Sequence, residues 1–186
     1  LDLGGGIGIN YEGDGHDVPP LGDFIAAMLR KIDARGHGHR PLAFEPGRSI
    51  VGNAGVLLTN VEFVKPTPYK NYAIVDAGMN DLMRPTLYQA YHGMVEVSKT
   101  DHAAVLYDVV GPVCESGCWL GRDRLLSIAQ NDTLAILSAG AYAMSMASNY
   151  NIRNRGAEVL VDGTQVKLVR PRETVEAQIA SQLACL

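Results

Sequence analysis

Apolar residues along this chain change their spacing near residue 56, and the change separates two kinds of predicted element. Phe24, Ile25, Met28, Leu29 and Ile32 recur at helical intervals between Pro19-Pro20 and Gly36, which predicts one helix with an apolar stripe over 19–36. Short apolar runs, Leu1 to Leu3 and Leu42-Ala43-Phe44, flank it. Strand, loop, helix and strand make one unit of a parallel α/β fold. Ser49 to Ala54 predicts a further helix that Gly55 ends. From residue 56 onward the rhythm shortens to period two or brief apolar runs: 56–64, 72–75, 94–97, 104–110 and 134–137. Strands of that kind predict an antiparallel β domain. Glu158 to Val169 reads as a hairpin in which Asp162-Gly163 supplies the positive φ angles of a tight turn. Gly140 to Ser148 predicts a short helix, and Val175, Ile179 and Leu183 give helical spacing to the tail. Two regions are thus expected, 1–55 of α/β type and 56–186 of β type with short helices.

Composition narrows the class without naming a function. With 186 residues, 47% hydrophobic and 19% charged, the chain is ordinary for a globular protein. A formal charge of −4 with scattered Lys and Arg offers no basic stripe for a phosphate backbone, so nucleic acid is not an expected partner. No run approaches the roughly 20 apolar residues of a membrane span and no basic, apolar leader opens the chain, so a cytoplasmic protein is expected. The first residues enter a glycine loop as if in mid-strand, and the chain is expected to be a fragment. Three cysteines, Cys114, Cys118 and Cys185, favour reduced thiols over a disulfide framework. Cys114 and Cys118 lack the His or second Cys pair of a zinc site, so no metal is expected.

Candidate chemistry lies in four segments. Gly4-Gly5-Gly6-Ile7-Gly8 follows the first strand and misses the dinucleotide fingerprint, whose third glycine would fall on Ile9. Without side chains its N–H groups can approach a phosphate; a tight strand-to-helix turn explains it equally well. Phosphate sites of eight-stranded α/β barrels are often built by the loops after the last two strands, and Glu45-Pro46-Gly47-Arg48 would be the second such loop. Pro46 and Gly47 force a turn that leaves both charges at a strand's carboxyl end, where the alternatives are a cap, a salt bridge or a surface arginine. Asp76 to His92 is dense in polar groups, among them Arg84 and Tyr88, and a solvated turn would also account for it. His92 is read as structural.

Val110 to Gly121 places a thiol beside a carboxylate, Cys114-Glu115, among Gly111, Pro112 and Gly117. A cysteine between Val113 and Glu115 is often a small buried hydrophobe; the glycines and proline argue for an exposed loop whose thiol can donate a proton. Tyr142 stands at a predicted helix start, where packing is the simple explanation.

In order, spacing and wording, Gly4 to Gly8, Glu45 to Arg48 and Cys114-Glu115 resemble the C-terminal part of the diaminopimelate decarboxylases, alanine-racemase-like pyridoxal-phosphate enzymes. The resemblance covers nearly the whole chain. It implies the final part of a (β/α)8 TIM barrel in 1–55, followed by an antiparallel β-barrel or sandwich domain. It also implies pyridoxal 5'-phosphate bound by Gly5, Gly6, Glu45, Pro46, Gly47, Arg48 and Tyr142, with Glu45 on the pyridine nitrogen. Arg48, Arg84, Tyr88, Glu115 and Tyr142 would bind meso-2,6-diaminopimelate, and Cys114 would return a proton once carbon dioxide has left. The family's usual Asp is Cys118 here. A homodimer with shared sites is implied, the Cys-Glu loop reaching into the neighbour's barrel. Lys31, Lys65, Lys70, Lys99 and Lys167 do not match the family's cofactor lysine, which lies nearer the N-terminus, so inactivity of this stretch alone is expected. A related basic amino-acid or polyamine-pathway decarboxylase, or a non-catalytic regulatory homologue, are the competing readings.

Overall fold

A computed structural model describes residues 1–12 and 18–186. The opening α/β unit is present. Asp2 and Ala43 form a parallel bridge, with Leu3 N–H donating to the Ala43 carbonyl at 3.0 Å and Ala43 N–H to the Leu1 carbonyl at 2.9 Å. Between them lies helix α1, Leu21–Asp33. Its apolar residues align on one face, as the spacing predicts, yet none of its residues is buried. Helix α2, Gly47–Val51, starts earlier than the sequence suggested and runs into a single 3₁₀ turn, Gly52–Ala54.

Six strands form the main sheet: β1 Leu57–Pro66, β2 Asn71–Val75, β3 Met94–Glu96, β4 Val105–Val110, β5 Trp119–Leu126 and β6 Thr133–Ile136. Their order is β3-β6-β1-β2-β4-β5. The expectation of an antiparallel domain fails at one pair, because β2 and β4 run parallel through Asn71↔Tyr107 to Ile74↔Val110. Helix α3, Arg84–Tyr88, and strand β3 occupy the connection between them, and a connection that long permits parallel pairing. The sheet is therefore mixed. Its edge strands approach each other, since a Cβ added at Gly121 of β5 would lie 2.8 Å from Met94 Cε of β3, so the sheet is a nearly closed barrel. Strand β5 itself escapes the sequence pattern. Arg122, Asp123 and Arg124 interrupt its apolar residues, and the loop expected to reach Gly121 ends where β5 begins at Trp119.

Strand β1 changes partners midway, pairing with β6 through Leu57 to Asn60 and with β2 from Val61 onward. A bulge between Val61 and Phe63 shifts the alternation by one, so that Thr59, Val61 and then Val64 turn toward the core. Bulges bend a strand in this way. Val61, Val75, Leu82, Val109, Leu120, Leu134 and Ile136 are wholly buried inside the barrel.

The two regions meet where glycines allow backbones to touch. A side chain at Gly140 would collide with the Val51 carbonyl, and one at Gly55 would lie 2.5 Å from Gly140 Cα. Ala139 N–H donates to the Gly55 carbonyl at 2.8 Å, and Asn53 Nδ2 donates to Ser138 Oγ at 2.8 Å and to the Asn10 carbonyl at 2.9 Å. After a single helical turn, α4 Ala143–Met146, strands β7 Glu158–Asp162 and β8 Gln165–Arg170 form the expected hairpin. Its turn differs from the prediction. Asp162 pairs with Gln165 as the last strand residue, and Gly163 alone of the turn has positive φ, 56°. Glycine at the first central position suits a two-residue hairpin turn without help from Asp162. Helix α5, Val175–Leu183, closes the chain, capped by Thr174, whose Oγ1 accepts from Ala177 N–H at 3.2 Å. Among the described residues no helix is long and apolar enough to cross a membrane.

Candidate active site

The glycine loop and the Glu-Pro-Gly-Arg segment lie side by side. Glu45 N–H donates to the Gly4 carbonyl at 2.8 Å, and Gly4 N–H donates to Asp2 Oδ1 at 2.8 Å. Gly4 and Gly6 have φ of 68° and 78°, and a Cβ at Gly5 would collide with the Glu45 carbonyl. Glycine is required at all three for these two reasons. No described residue takes the N–H groups of Gly5 or Gly6. Pro46 precedes the first turn of α2, which carries Gly47 and Arg48. Arg48 Nε is buried without a hydrogen-bond partner among the described residues, and Glu45 is exposed. Open N–H groups and a spare guanidinium suit an anionic group such as phosphate.

Arg84 opens α3. The turn before it is fixed by Leu82, a wholly buried anchor, and by Asp81, whose Oδ2 accepts from Gly78 N–H at 2.9 Å. Burial raises the Asp81 pKa above its usual value, opposed most by that same hydrogen bond. Buried Asn80 accepts from Arg153 Nε at 3.0 Å and braces the turn from the other side. Arg84 then reaches across to the first region, its Nη1 donating to the Tyr11 hydroxyl at 3.0 Å. Its guanidinium carbon lies 4.9 Å from the Tyr11 ring centre and 5.3 Å from that of Tyr142. No carboxylate among the described residues pairs with it. Tyr142 holds φ at 70°, in the left-handed region that a non-glycine residue adopts at some cost. Sequence reasoning passed over Tyr11. Its signal was position alone, an aromatic three residues beyond the glycine loop.

His92 is buried, as a structural histidine should be. Its Nδ1 bonds the Leu137 carbonyl at 2.9 Å, its ring meets Tyr11 edge-on at 5.0 Å, and desolvation lowers its pKa.

Cys114 and Glu115 lie in the loop between β4 and β5. Gly111 N–H donates to the Cys118 carbonyl at 2.9 Å and Cys118 N–H to the Glu115 carbonyl at 2.9 Å, folding 111–118 into a compact loop. Val113 and Cys118 turn inward while Cys114 and Glu115 are exposed. Cys118 therefore packs, its Sγ accepting from Met79 N–H at 3.4 Å. Thr86 of α3 donates to the Gly117 carbonyl at 2.6 Å, and Glu115 lies 3.5 Å from the Tyr150 hydroxyl. Tyr88 is exposed at the end of α3. The structure thus brings together the glycine loop, Glu45 and Arg48, and links Arg84 with Tyr142. No described hydrogen bond or ion pair joins Cys114, Glu115 or Tyr88 to either group.

Residues 13–140 match the family model of the pyridoxal-dependent decarboxylases, C-terminal sheet domain. The chain belongs to this decarboxylase family. Over all 186 residues it is 55% identical to a diaminopimelate decarboxylase of Neisseria meningitidis serogroup A, of which it covers 45%. Among solved structures it superposes on AQ1208 from Aquifex aeolicus with a TM-score of 0.90 and 44% identity, covering 98% of this chain and 45% of that one. A diaminopimelate decarboxylase from M. jannaschii in complex with L-lysine gives 0.88 and 41%, covering 97% and 42%. The chain spans somewhat less than half the length of these relatives.

Proposed function

We propose that these residues are the C-terminal portion of a decarboxylase that converts meso-2,6-diaminopimelate into L-lysine and carbon dioxide with pyridoxal 5'-phosphate. Residues 1–55 would be the closing part of its (β/α)8 barrel and 56–186 its sheet domain. One observation carries the substrate class: Arg84, a cation with no described counter-ion, is held between Tyr11 and Tyr142, close to where Asn53 ties Asn10 to Ser138. A diacid needs a receptor for the carboxylate it keeps, and a guanidinium fork supplies one. A basic monoacid, which loses its one carboxylate and leaves a diamine, gives Arg84 nothing to bind.

Roles follow from chemistry and placement. The N–H groups of Gly5 and Gly6 and the spare Nε of Arg48 would hold the cofactor's phosphate. Glu45 would face its pyridine nitrogen, with Pro46 and Gly47 shaping that edge and Tyr142 lining it. When bound, the cofactor supplies the electron sink that decarboxylation requires. Arg84, Tyr88 and Glu115 would orient the distal carboxylate and ammonium. Cys114 would hold the proton returned to the carbon that loses carbon dioxide. No described hydrogen bond or ion pair joins that thiol's loop to Arg48 or Arg84 within one chain, in keeping with a homodimer in which the loop of one copy completes the site of the other. A cytoplasmic location accords with this chemistry.

The test is lysine formation from meso-diaminopimelate by the full-length protein supplied with pyridoxal phosphate, beside a Cys114→Ala variant. A general acid is worth about 10² to 10⁴ in rate, so lysine production should collapse in the variant while cofactor absorbance persists. Cofactor binding without any turnover by the unmodified protein would sink the proposal.

A further inference from the structure

We infer that Tyr11 is the positioning residue that aims Arg84 at the carboxylate the substrate keeps. This inference deepens the proposed function and rests on it. Arg84 has five donors and no described ion pair, and among the described residues its one hydrogen bond runs from Nη1 to the Tyr11 hydroxyl at 3.0 Å. No described residue takes the remaining donors. A phenol is neutral, so it fixes the guanidinium without cancelling the charge, whereas an aspartate in its place would do both. The two rings, at 4.9 and 5.3 Å from the guanidinium carbon, leave it little room to swing.

Tyr11 is itself held at both ends. Its carbonyl accepts from Gly93 N–H at 3.0 Å, and a Cβ at Gly93 would lie 3.3 Å from that oxygen. Its ring rests at an interplanar angle of 74° on His92, which is buried and bonded to the Leu137 carbonyl. A receptor arginine braced this way binds its anion without first losing side-chain freedom. Tyr11 also links the two regions, since it follows the glycine loop while Arg84 belongs to the sheet domain.

Stereochemistry provides the discriminating ligands. Forming L-lysine from the meso diacid removes the carboxylate at the D centre, so L-lysine keeps the distal carboxylate. D-lysine keeps the reacting end and lacks the distal carboxylate. In the full-length protein with pyridoxal phosphate, Tyr11→Phe retains the ring and removes the hydroxyl. Loss of a hydrogen bond to a charged group should raise the KM for meso-diaminopimelate and the calorimetric Kd for L-lysine about tenfold. The inhibition constant of D-lysine and kcat should stay within about twofold. In an Arg84→Gln background, Tyr11→Phe should add almost nothing, because its effect runs through Arg84. Equal weakening of all three ligands would make Tyr11 merely structural and overturn the inference, as would unchanged L-lysine affinity or additive effects of the two substitutions. Failure of the unmodified protein to decarboxylate the diacid would instead overturn the proposed function, and the inference with it.

Discussion

Strands β6 and β8 have similar apolar content and opposite surroundings. Leu134, Ala135 and Ile136 of β6 are all buried, whereas every residue of β8 is exposed, Val166 at 71% and Leu168 at 59%. The difference is neighbours. Strand β6 lies between β3 and β1 in a nearly closed barrel, and β8 pairs with β7 alone. A two-stranded ribbon has no second layer against which to turn an apolar face. Helix α1 repeats the lesson, with an apolar stripe in sequence and no buried residue in place. Hydrophobicity thus states what a segment is able to bury, and the packing of other elements decides whether it does.

Leu120→Ala tests the barrel most severely. Leu120 is wholly buried, and truncation there should destabilise by about 2–5 kcal/mol through lost transfer energy and a cavity, read as a lowered denaturant midpoint. A loss below about 1 kcal/mol would mean that the barrel interior is far looser than its burial implies.

His92 should give a smaller, pH-dependent effect. Desolvation lowers its folded pKa below the ordinary 6.5. Above that pH both folded and unfolded chains hold it neutral and it contributes no slope. As pH falls through 6.5 the unfolded chain takes up a proton that the folded one resists, so stability declines on the acid side. Thermal melts of His92→Gln should show a shallower decline between roughly pH 6.5 and 5; an unchanged slope would remove His92 from the acid response.

Val166→Ala in β8 should have the least effect, within about 0.5 kcal/mol, as for other exposed positions. A core-sized loss in chemical denaturation of the full-length protein would show that the hairpin is covered there, and would erase the contrast between β6 and β8.

Much of the local structure was legible because it follows from short-range rules. Prolines and glycine bracket α1, the glycine loop needs its positive φ values, and Gly163 turns the last hairpin. Cys114 was correctly expected to be exposed, since Gly111, Pro112 and Gly117 leave no room for a regular element. Strand β5 was missed because its Arg122-Asp123-Arg124 centre interrupts the apolar pattern, although cross-strand bonds hold it. Arg122 and Arg124 instead lie over the rings of Trp119 and Tyr91 at 4.1 and 3.7 Å. Asp162 was misplaced by one position, a distinction that only strand register can make.

By itself, then, the sequence determined the local backbone choices, the chemical inventory of Glu45, Arg48, Arg84 and Cys114, and the family they resemble. These are properties of single residues or of neighbours in the chain. Only the tertiary structure decided that β2 and β4 run parallel, that Cys118 faces inward while Cys114 faces out, and that Tyr11 meets an arginine 73 residues away. Such pairings depend on how a barrel closes, and closure is a property of all six strands together.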